Sequence, residues 1–174
     1  MANPEREARL RELVLAFARE AARTVEDTFG ASLVSLALFG SAARNALRKG
    51  SDLDLLVVLE DPPRSYGKRV DRVVPLMASL RETGAYRDLE ALELDLEPSF
   101  LILSRDEVAD HPPILLDMVD DAVLLADKEG FLRGELEVVR ARLRELGSVK
   151  KRLPDGSWYW VLKPDFRPGE VIRI

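Results

Sequence analysis

The chain has no cysteine, one histidine at position 111, no glutamine and only two asparagines. Without cysteine there is neither a disulfide framework nor a thiolate metal site, and a single histidine cannot build a polyhistidine centre. Any metal must therefore be held by oxygen, which points to Mg²⁺ or Mn²⁺ on carboxylates. No apolar run approaches the roughly 18 residues that a membrane-spanning helix needs, so no membrane association is expected. The first residues lack a basic region followed by an apolar stretch and a small-residue cleavage site, and the cytoplasm is the expected location. Poverty in glutamine and asparagine, beside abundant Arg, Glu, Leu and Ala, suggests a thermophilic source from composition alone. A surplus of positive charge is also missing. The net charge of −5 argues against strong general nucleic-acid binding, which needs many Lys and Arg to neutralise phosphates. Two local basic clusters, Arg64/Lys68/Arg69/Arg72 and Lys150-Lys151-Arg152, read most simply as solvated faces.

What is present suits one compact unit. At 174 residues the chain can bury a core unaided, and it divides into a domain over residues 1–147 and an extended, hairpin-like tail over 148–174 packed on it. Leu10, Leu13, Val14, Phe17, Ala21, Val25 and Phe29 mark one face of a helix that Gly30 ends. Leu33 to Phe39 and Leu53 to Leu59 are short apolar runs that suit strands buried on both faces. Between them Gly40-Ser41 turns the chain into a short helix predicted over Ala42 to Arg48, stopped at Gly50. A helical pattern returns through Val70, Val73, Val74, Met77 and Leu80, where Pro75 is predicted to kink or split the helix. Ala91 to Glu97 alternates strictly and predicts a strand, with Phe100 to Leu103 continuing it beyond Pro98. Ser104 with Glu107 forms a capping box. Leu132, Leu136, Val139, Leu143 and Leu146 mark a last amphipathic helix, and Pro154-Asp155-Gly156 reads as a turn before Trp158-Tyr159-Trp160. The order of elements predicts an α/β (α+β) domain with a small mixed β-sheet flanked by helices and a short β-rich C-terminal tail.

The chemistry concentrates in two nearby segments, Leu38-Phe39-Gly40-Ser41-Ala42-Ala43-Arg44 and Gly50-Ser51-Asp52-Leu53-Asp54. Ser41 falls where a buried strand meets a helix, a place where free backbone N–H groups attract a phosphate. Gly40 lets a ligand approach the backbone closely. Asp52 and Asp54 point to one face of a strand with Cα atoms about 6.6 Å apart, close enough to share a dication that would relieve their repulsion. The plain alternative is that Ser41 caps a helix and the two aspartates cap a turn.

Together these segments resemble the DNA polymerase beta-like nucleotidyltransferase superfamily, and its minimal nucleotidyltransferase branch in particular. Gly-Ser, a nearby Arg, and Ser-Asp-x-Asp followed by aliphatic residues carry the likeness, which runs from Leu33 to about Ser104. The C-terminal run from Trp158 to Asp165, with Pro168-Gly169-Glu170-Val171-Ile172, is similar to the tail of a prokaryotic subgroup. One position departs from the pattern, because Asn45 stands where Gly usually follows the Arg.

The resemblance implies a third metal ligand on the next strand, where Glu93, Asp95 and Glu97 are the candidates. Asp95 is preferred for its shorter chain, with Glu93 as the alternative ligand. It further implies that Asp52, Asp54 and Asp95 hold Mg²⁺ or Mn²⁺ around a nucleoside triphosphate, ATP foremost, with Gly40, Ser41, Arg44 and Ser51 on the nucleotide. A nucleoside monophosphate would then pass to an acceptor hydroxyl with release of pyrophosphate. The implied partner is a helical protein of the HEPN type, as acceptor or as the protein regulated, and a homo-oligomer is compatible with the same reading. A non-catalytic, antitoxin-like binding role for the same fold is the alternative. His111 reads as a loop histidine, and the aromatic cluster at Trp158 as packing, a base-stacking platform or a partner-binding edge.

Overall fold

The computed structural model describes residues 4–94, 96–154 and 157–174. The first helix, α1 (Pro4–Phe29), ends as its apolar stripe does, at a left-handed Gly30 with φ 50°. Strands β1 (Leu33–Leu38) and β2 (Asp52–Leu59) run antiparallel through the centre of a four-stranded sheet, and β1 is buried along its whole length. The sheet is mixed. On one edge β3 (Glu97–Ser104) lies parallel to β2, and on the other β4 (Val123–Asp127) lies antiparallel to β1, giving the order β3-β2-β1-β4. The α/β architecture and the small mixed sheet follow the sequence pattern, although β4 does not announce itself there.

Alternation along β2 divides its side chains between two cores. Leu53, Leu55, Val57 and Leu59 pack with α1, with α3 (Tyr66–Arg81) and with α4 (Gly84–Glu90), where the rings of Phe17 and Tyr86 meet at 6.3 Å. Leu56 and Val58 face the other way, toward α5 (Arg105–Ala109), α6 (Leu115–Met118) and α7 (Phe131–Glu145). This second core also takes in Trp160, Leu162 and Ile174 from the C-terminal segment. There β5 (Val149–Arg152) and β6 (Trp158–Val161) form a separate antiparallel hairpin. The indole N–H of Trp160 donates to the Leu116 carbonyl at 3.3 Å and Lys150 pairs with Asp120 at 2.8 Å, which ties the hairpin to α6 and the turn after it.

Several expectations need correction. Of the predicted kink or split at Pro75 the split does not occur, since α3 is continuous through it. Pro75 is solvent-exposed, so the carbonyl that loses its partner can turn to water. On the same helix Leu76 is buried, whereas Val74 is 55% exposed. Residues 91–93 form a turn, not a strand, because α4 precedes them and Glu93 adopts a left-handed conformation (φ 56°) that closes that helix. Pro98 lies within β3, which tolerates it as an edge strand with an unpaired outer side. The capping box forms as expected, Ser104 Oγ accepting from the Glu107 N–H and Glu107 accepting from the Ser104 N–H.

Candidate functional site

The turn after β1 is tighter than the sequence suggests. Helix α2 (Gly40–Ala43) begins at the glycine and lasts one turn, so the helix expected over Ala42 to Arg48 is absent beyond Ala43. Asn45 ends it in a left-handed conformation (φ 53°), a backbone that Asn tolerates in place of Gly. A single turn supplies local N–H groups and little macrodipole. No side chain caps α2, and Ser41 lies inside it, so capping is not the role of the Ser41 hydroxyl.

Gly40 brings the turn against β2. The Phe39 N–H donates to the Asp54 carbonyl at 3.0 Å, and Gly40 holds φ 69° directly over the Asp54 side chain. A Cβ built on Gly40 would stand 2.4 Å from Asp54 Oδ2, so no other residue fits without displacing the carboxylate. The glycine is needed here for both conformation and space. Asp52 and Asp54 share the sheet face of Leu56 and Val58, with Asp52 exposed and Asp54 half-buried. Burial foremost, and then the neighbouring Asp52 charge, push the Asp54 carboxyl above the ordinary aspartate range. A hydrogen bond from Ser99 and the Arg44 charge oppose that shift, and the Asp117 charge adds to it.

Ser99 stands in register with Asp54 on the parallel strand, and Glu97 with Asp52. The Glu97 carboxylate is engaged by Arg81, from Nη2 at 2.6 Å and Nε at 3.0 Å. Glu93 lies in the turn before the sheet and is exposed, so it does not share the strand with Glu97. Asp95 falls outside the described residues. Its neighbours are pinned beside the site, the Leu94 carbonyl by the Gly50 N–H at 2.8 Å and the Leu96 carbonyl by the Tyr86 hydroxyl at 2.9 Å. Among the described residues no three acidic or histidine side chains come together as a cation site. The two oxygen donors of Asp52 and Asp54 nevertheless suit a hard dication, because their charges lie close together and one of them is partly desolvated.

A cavity of about 450 Å³ opens beside this corner, lined among others by Ser41, Arg44, Arg48, Ser51, Asp117 and Trp158. Its size falls within the range of small-molecule sites. Arg44 Nη1 is buried without a hydrogen-bond partner among the described residues, a cationic donor available to an anion. Ser51 Oγ accepts from the Arg48 N–H at 2.9 Å and thereby shapes the loop that enters β2. His111 does not line this cavity; its ring lies 2.9 Å from Glu135 and 3.0 Å from the Ile174 carbonyl, where it anchors the C-terminal segment.

Three of the residues gathered here went unmarked in the sequence. Asp117 is the one acid inside the apolar run 114–119, whose neighbours Leu115, Met118 and Val119 are buried, and that isolation was its signal. Ser99 becomes visible only through the strand register. Arg48 is one basic residue in an irregular loop, with nothing local to single it out.

Residues 18–114, more than half of the chain, match the family model described as the nucleotidyltransferase domain. A spectinomycin 9-adenylyltransferase of Staphylococcus aureus is 33% identical over 95 residues, covering 52% of this chain and 33% of that protein, so the chain spans only about a third of that relative's length. A Methanocaldococcus jannaschii protein with the provisional name protein adenylyltransferase is 26% identical over 121 residues, covering 70% of this chain and 77% of its own. Among solved structures, one of a tri-AMPylated Shewanella oneidensis HEPN toxin in complex with MNT antitoxin is similar, with 16% identity and a TM-score of 0.42 over 77% of this chain and 92% of that one.

Proposed function

Because this chain belongs to the nucleotidyltransferase family, we propose that it moves a nucleoside monophosphate from a triphosphate, ATP foremost, to an acceptor hydroxyl with release of pyrophosphate. The observation that carries this reading is the contact of Gly40 with Asp54, which makes the phosphate-holding turn and the carboxylate pair one site. Asp52 and Asp54 would hold Mg²⁺ or Mn²⁺, with Asp95 as the third carboxylate. The pinning of Leu94 and Leu96 beside Gly50 and Tyr86 supports that choice, while the turn position of Glu93 and the Arg81 partner of Glu97 weigh against the other two. When bound, the dication neutralises charge on the phosphates and eases loss of the acceptor proton.

The remaining work falls to the chain's own groups. The Ser41 hydroxyl and the backbone of the Gly40 turn hold the terminal phosphates, and the orphan Nη1 of Arg44 donates to a phosphate oxygen. Ser51 holds the loop along which the nucleotide lies. The acceptor oxygen forms a bond to the α-phosphorus as the bond from that phosphorus to the bridging oxygen breaks; pyrophosphate leaves with the electron pair, and the acceptor's proton passes to water. A helical protein of the HEPN type is the proposed macromolecular partner, as acceptor or as the protein regulated. No helix among the described residues is long and apolar enough to cross a membrane.

Calorimetry of ATP binding with Mg²⁺ and with chelator tests the site, and transfer of label from the α-phosphate of ATP to a HEPN-type protein tests the reaction. Binding and transfer are both expected to require the dication and to vanish in Asp54→Asn. Equal affinity with chelator would overturn the metal role of the pair.

A further inference from the structure

The C-terminal hairpin does more than close a core, since it supplies one wall of the cavity at the catalytic corner. Trp158 lines that cavity together with Ser41 and Arg44, and it lies beyond residues 18–114 that carry the family match. Its indole is half-buried and fixed in orientation. Lys150 Nζ stands 4.1 Å from the centroid of the ring, and Trp160 meets it edge-on at 6.5 Å. Lys150 is in turn paired with Asp120, and Trp160 with the Leu116 carbonyl, so the hairpin is attached to the α6 region that presents Asp117. Arg44, which also lines the cavity, has its Cζ 5.8 Å from the Trp158 centroid, near the outer limit of a cation–π contact and far enough to leave the ring open to a closer partner. The guanidinium that contacts the indole is the same one that carries the unpartnered Nη1.

A ligand whose phosphates are held by Ser41 and Arg44 must extend its remaining body along this cavity, and the rigid aromatic surface it meets there is Trp158. We infer that the base and ribose of the triphosphate occupy the cavity, with the base stacked on Trp158, so that the C-terminal hairpin is a part of the nucleotide site. This rests on the nucleotidyltransferase reading above and adds to it the element that holds the nucleoside. Stacking on an aromatic tolerates any base, so Trp158 would fix position and affinity more than base choice.

The test compares ATP with inorganic tripolyphosphate, both with Mg²⁺, on the full chain. Trp158→Ala is expected to weaken ATP binding about tenfold and to leave tripolyphosphate binding unchanged, with Trp158→Phe recovering most of the loss. Because Trp158 and Trp160 are the only tryptophans, a Trp160→Phe variant isolates the Trp158 emission. ATP should quench that emission and tripolyphosphate should not, a readout independent of whether the alanine variant folds. Unchanged ATP affinity in Trp158→Ala, an equal loss for both ligands, or no quenching by ATP would each overturn the stacking assignment while leaving phosphate binding at Gly40-Ser41 standing. If the unaltered protein binds neither ligand, the transfer reading fails and this inference fails with it.

Discussion

Two acid-bearing stretches enter neighbouring strands of the sheet, and they are held by different means. Asp54 sits within β2, bonded through its carbonyl to Phe39, contacted at its carboxylate by Ser99 and overlain by Gly40. Between α4 and β3, residues 91–94 and 96 lie outside any strand ladder, with a left-handed Glu93 and hydrogen bonds to the Leu94 and Leu96 carbonyls. An acid inside a strand inherits its position from the sheet register, whereas an acid in a loop has only the position its hooks enforce. On the proposed function, the first arrangement would fix a metal ligand and the second would complete the set.

Exchanging single acids tests this contrast most strongly. Asp54→Asn should abolish nucleotidyl transfer, Asp95→Asn should follow it, and Glu93→Gln should stay close to the unaltered protein in a label-transfer assay. Transfer lost in Glu93→Gln but kept in Asp95→Asn would move the third ligand out to the turn. The same variants carry a stability signature. The folded Asp54 carboxyl lies above its ordinary 3.8, so the native state binds the proton more tightly than the unfolded chain and stability declines as pH rises through that interval. In metal-free protein at neutral pH, Asp54→Asn should therefore raise the melting temperature, and Mg²⁺ should raise it only while Asp54 is present.

A smaller effect is expected from breaking the contact that joins the turn to β2. In Gly40→Ala the new methyl would meet Asp54 Oδ2 at 2.4 Å on a backbone of φ 69°, and a strained site of this kind costs about 1–3 kcal/mol. Denaturant unfolding should show that loss, and calorimetry should show weaker Mg–ATP binding. Combining Gly40→Ala with Asp54→Gly, which removes the colliding carboxylate, should recover part of the stability and none of the activity. Full additivity of the two changes would mean that the contact does not couple them.

The same contrast explains what the sequence made legible. The Gly40-Ser41 corner could be read because a buried strand, a glycine and a pair of alternating acids each leave a local pattern, and the folded corner depends on little else. The expected strand over Ala91 to Glu97 went astray because Leu92, Leu94 and Leu96 alternate as a strand would, yet α4 runs directly into them and a left-handed Glu93 breaks the extended course. Alternation records which side chains prefer burial, and Leu96 is indeed buried, but a turn can satisfy the same preference. β4 went unread because its residues 123–127 are only partly buried and gain their partners from β1, far away in sequence. Asp117 and Trp158 reach the cavity through tertiary contacts alone.

The smallest expected effect concerns the opposite end of β3, where the strand leaves the sheet. There Arg69 donates from Nη1 and Nη2 to Glu107 at 2.7 and 3.0 Å, from Nη1 to the Ile102 carbonyl at 2.9 Å and from Nε to the Pro63 carbonyl at 2.6 Å. The Arg69 hydrogen bond foremost, opposed by partial burial and assisted by the Ser104 N–H, holds the Glu107 carboxyl below its ordinary 4.5. A lowered folded pKa means that the unfolded chain binds the proton more readily, so the stabilisation is complete above about pH 4.5 and is lost as pH falls through the folded value. With the Glu107 side chain 43% exposed, solvent screens the pair and its contribution should remain below about 1 kcal/mol. The neutral hooks at Leu94 and Leu96 have no such dependence, since neither a backbone N–H nor a tyrosine hydroxyl titrates in acid. Amide exchange between pH 5 and 3 should therefore show the α5 end of β3 losing protection in the unaltered protein. Glu107→Gln should show that lower protection already at pH 5 and change little on acidification. Because Arg81 also pairs with Glu97 at the first residue of β3, the two ends are compared in Arg81→Ala, where equal loss of protection at both would remove the distinction between the charged and the neutral fastening.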